Sequence, residues 1–420
     1  MLDIKFIREN KDIVAAGAKK KHIAFDVSAL IAADDKRRAL MASIEKGRAE
    51  QNAASMKIAT ANPDQKTALL GDMKTVKNDL LKDEESLKEV MKEWQALMLA
   101  VPNIPDVSVP DGASDADNKE VHNWGTKPVF NFTPKNHIEL MEKLDLADFE
   151  KGAEVAGFRG YYLKKEAASM EISLWQFVLN HFLKKKYTPM IVPSLVRRQA
   201  LLGTGYLPAG EDDLYKTQDG DYLSGTGEVG AMSYFADKVL DKADLPIKVL
   251  AFSTCFRREA GSYSKDTKGI IRVHEFYKLE QVIICEANHE ESVKYHEELR
   301  RNSEELLEAL ELPYRTVINS AADLGLGQVK KYDLEAWVPS QNTYRETHSC
   351  SYFHDFQTRR LNIRYKDTDG KLKFAHSLNN TALATPRILV PILENNQLSD
   401  GTIKIPKVLV PFLEKDLIGK

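Results

Sequence analysis

Cysteine is scarce. The 420 residues hold three, Cys255, Cys285 and Cys350, and no CxxC pair, which excludes a disulfide framework and a thiolate zinc site and points to a reducing cytoplasm. Glycine (22) and proline (16) are too few for a collagen-like or low-complexity chain. No apolar run comes near the ~18 residues of a membrane span, and Met1, Leu2, Asp3, Ile4, Lys5 lack the basic-then-apolar order of a secretory leader. Charge of one sign is missing as well: 59 Lys and Arg against 62 Asp and Glu leave a net charge of −3. That excludes a histone-like basic coat and an acidic disordered tail, and at face value argues against a nucleic-acid partner. The GxxxxGK[ST], GxSxG and HExxH signatures are absent, and the histidines do not cluster at metal spacing. His274, His289 and His376 read as structural or solvated.

What is present is a chain 43% apolar, long enough for two or three domains with real cores. Its first hundred residues stand apart. Leu69, Met73, Val76, Leu80, Asp83, Leu87, Val90, Trp94 and Leu97 step by alternating fours and threes, a heptad seam with one polar interruption. Leu30, Ala33, Arg37, Leu40, Ile44, Gly47, Gln51, Ala54 and Ile58 repeat the spacing with smaller, more polar residues. Ala61, Asn62, Pro63 and Asp64 mark a turn between the runs. The pattern predicts an antiparallel hairpin of two helices, on the order of 45 Å long. Such a hairpin projects as an arm or serves as a dimerisation coiled coil, and periodicity does not separate the two.

Pro102, Pro105 and Pro110 then break the pattern, and the boundaries read as an arm over 1–105, a linker over 106–130 and a larger domain over 131–420. In that domain short β-rich runs (247–253, 281–285, 314–317, 332–338, 362–365) alternate irregularly with helices (168–183, 290–310). The class is α+β: a helical hairpin followed by a domain on an antiparallel sheet flanked by helices.

The densest polar segment runs from Cys255 to Glu280 between two strand candidates, and so reads as a long hairpin. Arg257, Arg258, Glu259 and Phe276 on one concave surface would suit a nucleotide, because guanidinium forks grip phosphate oxygens and an aromatic face takes a purine. A solvated loop with surface ion pairs is the competing reading. Glu346 and Ser349 offer hard oxygens of the kind Mg²⁺ takes beside phosphates, or else a solvated turn. Thr385 and Pro386 read as the N-cap and first position of a helix, with Arg387 at its phosphate-favouring end. Lys186 to Pro193 reads as a helix end, a strand and a stop.

In this order the segments resemble the three motifs of class II aminoacyl-tRNA synthetases. The first ends at Pro193, the second covers Phe256 to Glu259 and Arg272 to Phe276, and the third ends at Arg387. The whole chain is similar to the bacterial-type seryl-tRNA synthetase family, a likeness extended by Pro102-Asn-Ile-Pro105, Gly203-Thr-Gly205, Glu211 to Tyr215, Lys330 to Glu335 and Leu393 to Asn395. The helical hairpin is, in that family, a tRNA-binding arm.

The resemblance implies a class II catalytic domain and the following roles. Arg257 would bind the α-phosphate of ATP and the seryl carboxylate, and Arg387 the γ-phosphate; these two are the expected catalytic residues. Arg258, Glu259, Val273, Phe276, Glu346, Thr347, His348 and Ser349 would complete the ATP site, with Phe276 on the adenine and Mg²⁺ on Glu346 and Ser349. Thr226, Gly227, Glu228, Glu280, Asn379 and Thr381 would surround serine, Glu280 taking its α-ammonium. Departures are Ser224, Gly225 and Gly227 where relatives commonly carry Ile, Pro and Ala, which should make that loop more mobile. Glu275 and His348 replace the commoner Gln and Ser, and Asn380-Thr381 the commoner Gly-Ser.

The implied partners are serine, ATP, Mg²⁺, serine tRNA through the arm, and a second copy of the chain in a cytoplasmic homodimer with no membrane contact; selenocysteine tRNA is a further acceptor to test. Two other readings stay open: a synthetase-like paralogue loading another carrier, and a non-catalytic RNA-binding scaffold. The arm balances 12 basic against 12 acidic residues over 31–100, with 6 against 4 in its first helix. RNA contact should therefore be local, on the first helix and at Lys19, Lys20 and Lys21.

Overall fold

The computed structural model describes residues 1–60, 62–261 and 266–419; Ala61 of the expected turn and 262–265 of the expected hairpin loop lie outside them. Two compact units divide the chain: 1–19 with 23–102, and 20–22 with 103–420.

The first unit is helical: α1 (Ile4–Glu9), α2 (Lys11–Lys20), α3 (Val27–Thr60) and α4 (Pro63–Ala100). Ile7, Val14, Leu30 and Ala33 are buried, and Arg8 and Arg37 both pair with the buried Asp34, at 3.0 and 2.8 Å. Asn62 caps α4 by accepting the Gln65 N–H, with Pro63 in the first turn. Along the α3–α4 pair every predicted heptad position is buried or half-buried. The seam is thin, so polar cross-links fix its register. Ser43 donates to Asp83 at 2.6 Å, Arg48 meets Glu84 at 2.8 Å, and Arg37 lies 4.8 Å from the Trp94 ring centroid. Gly47 belongs to the seam because a β-carbon there would stand 3.1 Å from Leu80 Cγ.

The second unit is organised by an eight-stranded sheet. In chain order its strands are β1 (Lys119–Trp124), β2 (Thr188–Ile191), β3 (Ile247–Phe256), β4 (Glu275–Cys285), β5 (Tyr314–Ile318), β6 (Lys330–Val338), β7 (Thr343–Tyr352) and β8 (His376–Thr385). They lie in the order β1-β5-β6-β7-β8-β4-β3-β2. All neighbours are antiparallel except β2 and β3. On one face α5 (Lys165–Lys184) and α7 (His289–Ala309) cover the main core, with Leu174, Phe182, Leu299 and Leu306 packed against Leu279, Ile283, Leu334 and Leu383. On the other, α6 (Gly227–Tyr234) packs Ala231 and Met232 on Val249, Ala251, Val282 and Ile284. The remainder of that second face is open, and there the functional groups gather. All three cysteines are buried, and no described helix is long and apolar enough to cross a membrane.

Three expectations change. Residues 106–130, read as a linker, supply edge strand β1; all six of its residues are exposed, so it carries no inside–outside alternation to detect. Thr385 is not a helix cap. It ends β8, donating to the Tyr277 carbonyl and accepting from Trp175 Nε1, and the helix that follows, α8 (Leu389–Asn395), starts four residues later. Lys20 and Lys21 are not free for RNA: Lys20 donates to the Val109 carbonyl at 2.8 Å, and Lys21 is 2% exposed.

Candidate active site

A cavity of about 500 Å³ opens on the uncovered face of the sheet. The β3–β4 hairpin provides its centre. Phe276, Lys278 and Glu280 alternate along β4 and so share a face, and all three line the cavity with Arg257, Glu259 and Val273. The Arg257 guanidinium lies 5.3 Å from the Phe276 ring centroid. Burial works against the charge of Arg257, but Tyr206, Cys255, Glu259 and Glu346 together outweigh it and hold its pKa above the ordinary value. Glu259 adopts a left-handed backbone, φ 55°, and meets Arg272 at 3.1 Å and Arg159 at 3.7 Å. A non-glycine residue there is a local strain of the kind that recurs at functional sites.

Two β-bulges complete the floor. Leu334 pairs with His348 but Glu335 with Glu346, so Thr347 is the extra residue of β7. Residues three apart on a regular strand face opposite ways; the bulge lets Glu346 and Ser349 line the same cavity. Likewise Leu279 pairs with Leu383 and Glu280 with Thr381, leaving Ala382 extra on β8 and putting Asn379, Thr381 and Ala384 on the cavity wall. Arg387 closes the end near Glu346: its Nε donates to the Ile271 carbonyl at 3.0 Å and its Nη1 to the Glu346 carbonyl at 3.4 Å. Burial lowers its pKa, as do Arg257 and Arg272 nearby.

At the other end Glu228, 3% exposed, accepts from the Tyr206 hydroxyl at 2.8 Å and from Gln357 Nε2 at 2.5 Å. Lys278 and Glu280 form an ion pair of 2.7 Å. Burial raises the pKa of both glutamates, and Lys278 counters it at Glu280. Thr226 caps α6 and accepts the Glu228 N–H at 3.2 Å, steering that carboxylate without lining the cavity. The glycine-containing stretch before it is fastened, because Ser224 donates to the Thr226 carbonyl at 2.8 Å and its own carbonyl accepts from Phe256 N. A β-carbon on Gly227 would stand 3.2 Å from Ser253 Oγ, a tight fit.

The cavity thus collects Arg257, Glu259, Val273, Phe276, Glu346, Thr347, Ser349 and Arg387 with Glu228, Glu280, Asn379 and Thr381. It does not collect Arg258, which is exposed, or Gly227, the first residue of α6. Nor does it collect His348, whose buried ring bonds to Thr347 Oγ1 and the Ala382 carbonyl. Ordinary strand alternation explains His348: as the neighbour of Ser349 it points to the opposite face. Three wall elements went unread. Lys278 carried a signal, the alternation Phe276, Lys278, Glu280. Tyr206 and the loop 325–328 carried none.

Hard oxygens for a divalent cation are Glu346, exposed to the cavity, and Ser349. Behind them Asp333, 6% exposed, has its Oδ1 without a hydrogen-bond partner among the described residues. Burial raises the Asp333 pKa, Lys331 opposing the shift and the nearby Glu346 adding to it. The donor set fits Mg²⁺.

Residues 1–105 match the Seryl-tRNA synthetase N-terminal domain, and 215–396 the tRNA synthetase class II core domain (G, H, P, S and T). A serine–tRNA ligase of Deinococcus radiodurans is 44% identical over 96% of this chain and 95% of its own. One of Treponema denticola is 40% identical over the full length of both. The seryl-tRNA synthetase of Pyrococcus horikoshii, solved in complex with ATP, superimposes with TM-score 0.92 at 37% identity over 100% of this chain and 99% of its own. The cytoplasmic serine–tRNA ligase of Naegleria fowleri, solved with AMP, gives 0.87 at 29% over 100% and 98%.

Proposed function

Because this chain belongs to the seryl-tRNA synthetase family, we propose that the cleft of Arg257 and Arg387 activates serine with ATP and then passes the seryl group to tRNA. The protein is an ATP-dependent serine–tRNA ligase. In the first step a serine carboxylate oxygen attacks the α-phosphorus, and the bond to the bridging oxygen of pyrophosphate breaks. In the second the terminal ribose hydroxyl of tRNA attacks the seryl carbonyl and AMP leaves. No side chain forms a covalent bond.

The single observation that carries the residue assignments is the convergence of Arg257, Glu280, Glu346 and Arg387 on one cavity. Phe276 holds adenine against its ring face. Arg257, beside it, faces the α-phosphate and the attacking carboxylate, and so stabilises charge that grows in the transition state. Arg387, fixed by its bond to Ile271, meets the far phosphate end. Glu228 and Glu280 receive the α-ammonium, and Asn379 and Thr381 face the short side chain, so that the reacting atoms are held in line. Mg²⁺, bound by Glu346 and Ser349, would neutralise phosphate charge.

The two remaining assignments concern larger partners. The helical pair α3–α4 recognises serine tRNA, α3 carrying the exposed cations Arg38 and Lys46. The homodimer forms about α5 and β2, supported by the sheet-edge position of β2 and the exposure of Ile191 (87%) and Ile172 (61%).

The deciding experiment is ATP–pyrophosphate exchange across a panel of amino acids with the native chain and Arg257→Ala. Serine-dependent exchange reduced by ~10²–10³ in the variant is expected. Exchange untouched by the variant overturns the role of Arg257, and none with any amino acid favours the scaffold.

A further inference from the structure

Lys278 is the one cation at the amino-acid end of the cleft, besides Arg257, among the described residues lining it. It is 6% exposed, too buried to act as a surface charge, and its ammonium sits 2.7 Å from Glu280, itself 3% exposed. The second carboxylate of that end, Glu228, has neutral donors, Tyr206 and Gln357. Two glutamates, Arg257 and Lys278 therefore sum to zero charge. A zwitterionic amino acid with an uncharged side chain enters without changing that balance. An amino acid with a second ammonium leaves an extra positive charge in a poorly solvated space beside Lys278.

Resting on the serine-activation reading above, we propose that Lys278 determines specificity. By neutralising Glu280 it makes the pocket reject amino acids whose short side chain is cationic. Without it the end of the cleft is acidic and attracts them. Phe276, Lys278 and Glu280 share one face of β4, so Lys278 is fixed in register between the nucleotide and amino-acid ends and cannot be replaced by a residue from a neighbouring strand.

The test uses the full-length chain, Lys278→Met, Lys278→Gln and Lys278→Arg, with exchange measured for L-serine and for L-2,3-diaminopropionate, which carries an amine where serine has its hydroxyl. Adjacent ammonium groups lower each other's pKa, so assays run at about pH 6, where both amines are charged. The preference for serine should fall by about tenfold or more in the Met and Gln variants, the effect of one nearby unit charge at intermediate dielectric, and stay near native in Lys278→Arg. A neutral variant that activates serine with native discrimination overturns the role of Lys278 and leaves serine activation standing. A native chain that exchanges with no serine overturns the underlying reading instead. Should both neutral variants fail to melt cooperatively, competition by diaminopropionate against serine on the native chain decides. Weaker inhibition at about pH 6 than at about pH 8 supports rejection of the dication, and equal inhibition overturns it.

Discussion

Gln357 donates its side-chain amide to Oε1 of Glu228 at 2.5 Å, while its own carbonyl oxygen accepts from Ser377 Oγ at 2.7 Å. An uncharged amide locked at both ends thereby orients a buried carboxylate of the cavity, at the end proposed to take the amino acid. Gln357→Leu removes a donor that burial makes expensive to lose, about 1–3 kcal/mol. Exchange assays should show a raised KM for serine with an unchanged KM for ATP. A variant of native serine KM would make Gln357 a packing residue only.

The bulge at Thr347 that sets Glu346 and Ser349 side by side predicts a dependence on divalent cations. Chelation should abolish exchange, and Mg²⁺ titrations of Glu346→Gln should need about tenfold or more of the ion for half-maximal rate. Equal titrations for variant and native chain would remove Glu346 from the metal site.

Ile191 and Ile172 make a quaternary prediction. Ile191→Asp places a charge on an apolar surface that a dimer would bury, so light scattering should report loss of the dimer at low micromolar concentration, with the fold intact by circular dichroism. Monomeric native protein would refute the assignment of this face.

Four histidines give the chain a built-in acid sensitivity. Burial first of all lowers His296, His348, His354 and His376 to about 4. Their folded pKa values lie below the unfolded one, so the unfolded chain binds more protons between the ordinary histidine value and about 4. Stability is full above ~6.5 and falls as pH drops toward 4, by about 1.4 kcal/mol per pH unit for each histidine. Denaturant melts of His348→Ser across that window should show a shallower slope than the native chain.

Charge reversal on the first long helix tests the RNA face. Arg38→Glu with Lys46→Glu should raise the KM for serine tRNA in charging assays and leave serine-dependent exchange alone, with the native effect of salt on charging reduced. A parallel loss of exchange would point to misfolding rather than to RNA contact.

How much of this was readable from residues alone varied with the length of the pattern. The heptads from Leu30 to Ile58 and Leu69 to Leu97 span enough turns to locate α3, α4 and the turn between them. The Arg257 and Phe276 ends of the hairpin were legible because charge and aromatics crowd there. Features set by tertiary pairing were not. The bulge at Thr347 brings Glu346 and Ser349, three positions apart, to one wall, and no local periodicity announces an extra residue. Strand β1 is recruited by pairing with β5 rather than by any pattern of its own. The bonds of Lys21 to the carbonyls of Gly325 (3.0 Å), Leu326 (3.1 Å) and Gln328 (2.6 Å) bridge some 300 positions of sequence, so a triple-lysine run read as an RNA patch.

The burial of Cys255, Cys285 and Cys350 carries a practical consequence. Burial raises the pKa of each thiol, Cys285 to about 12, so none presents a thiolate to a soft electrophile. The native chain is therefore a silent background for maleimide dyes. One cysteine introduced at Met56, 76% exposed on α3, would be labelled alone and would report the motions of α3 by fluorescence with no native cysteine removed.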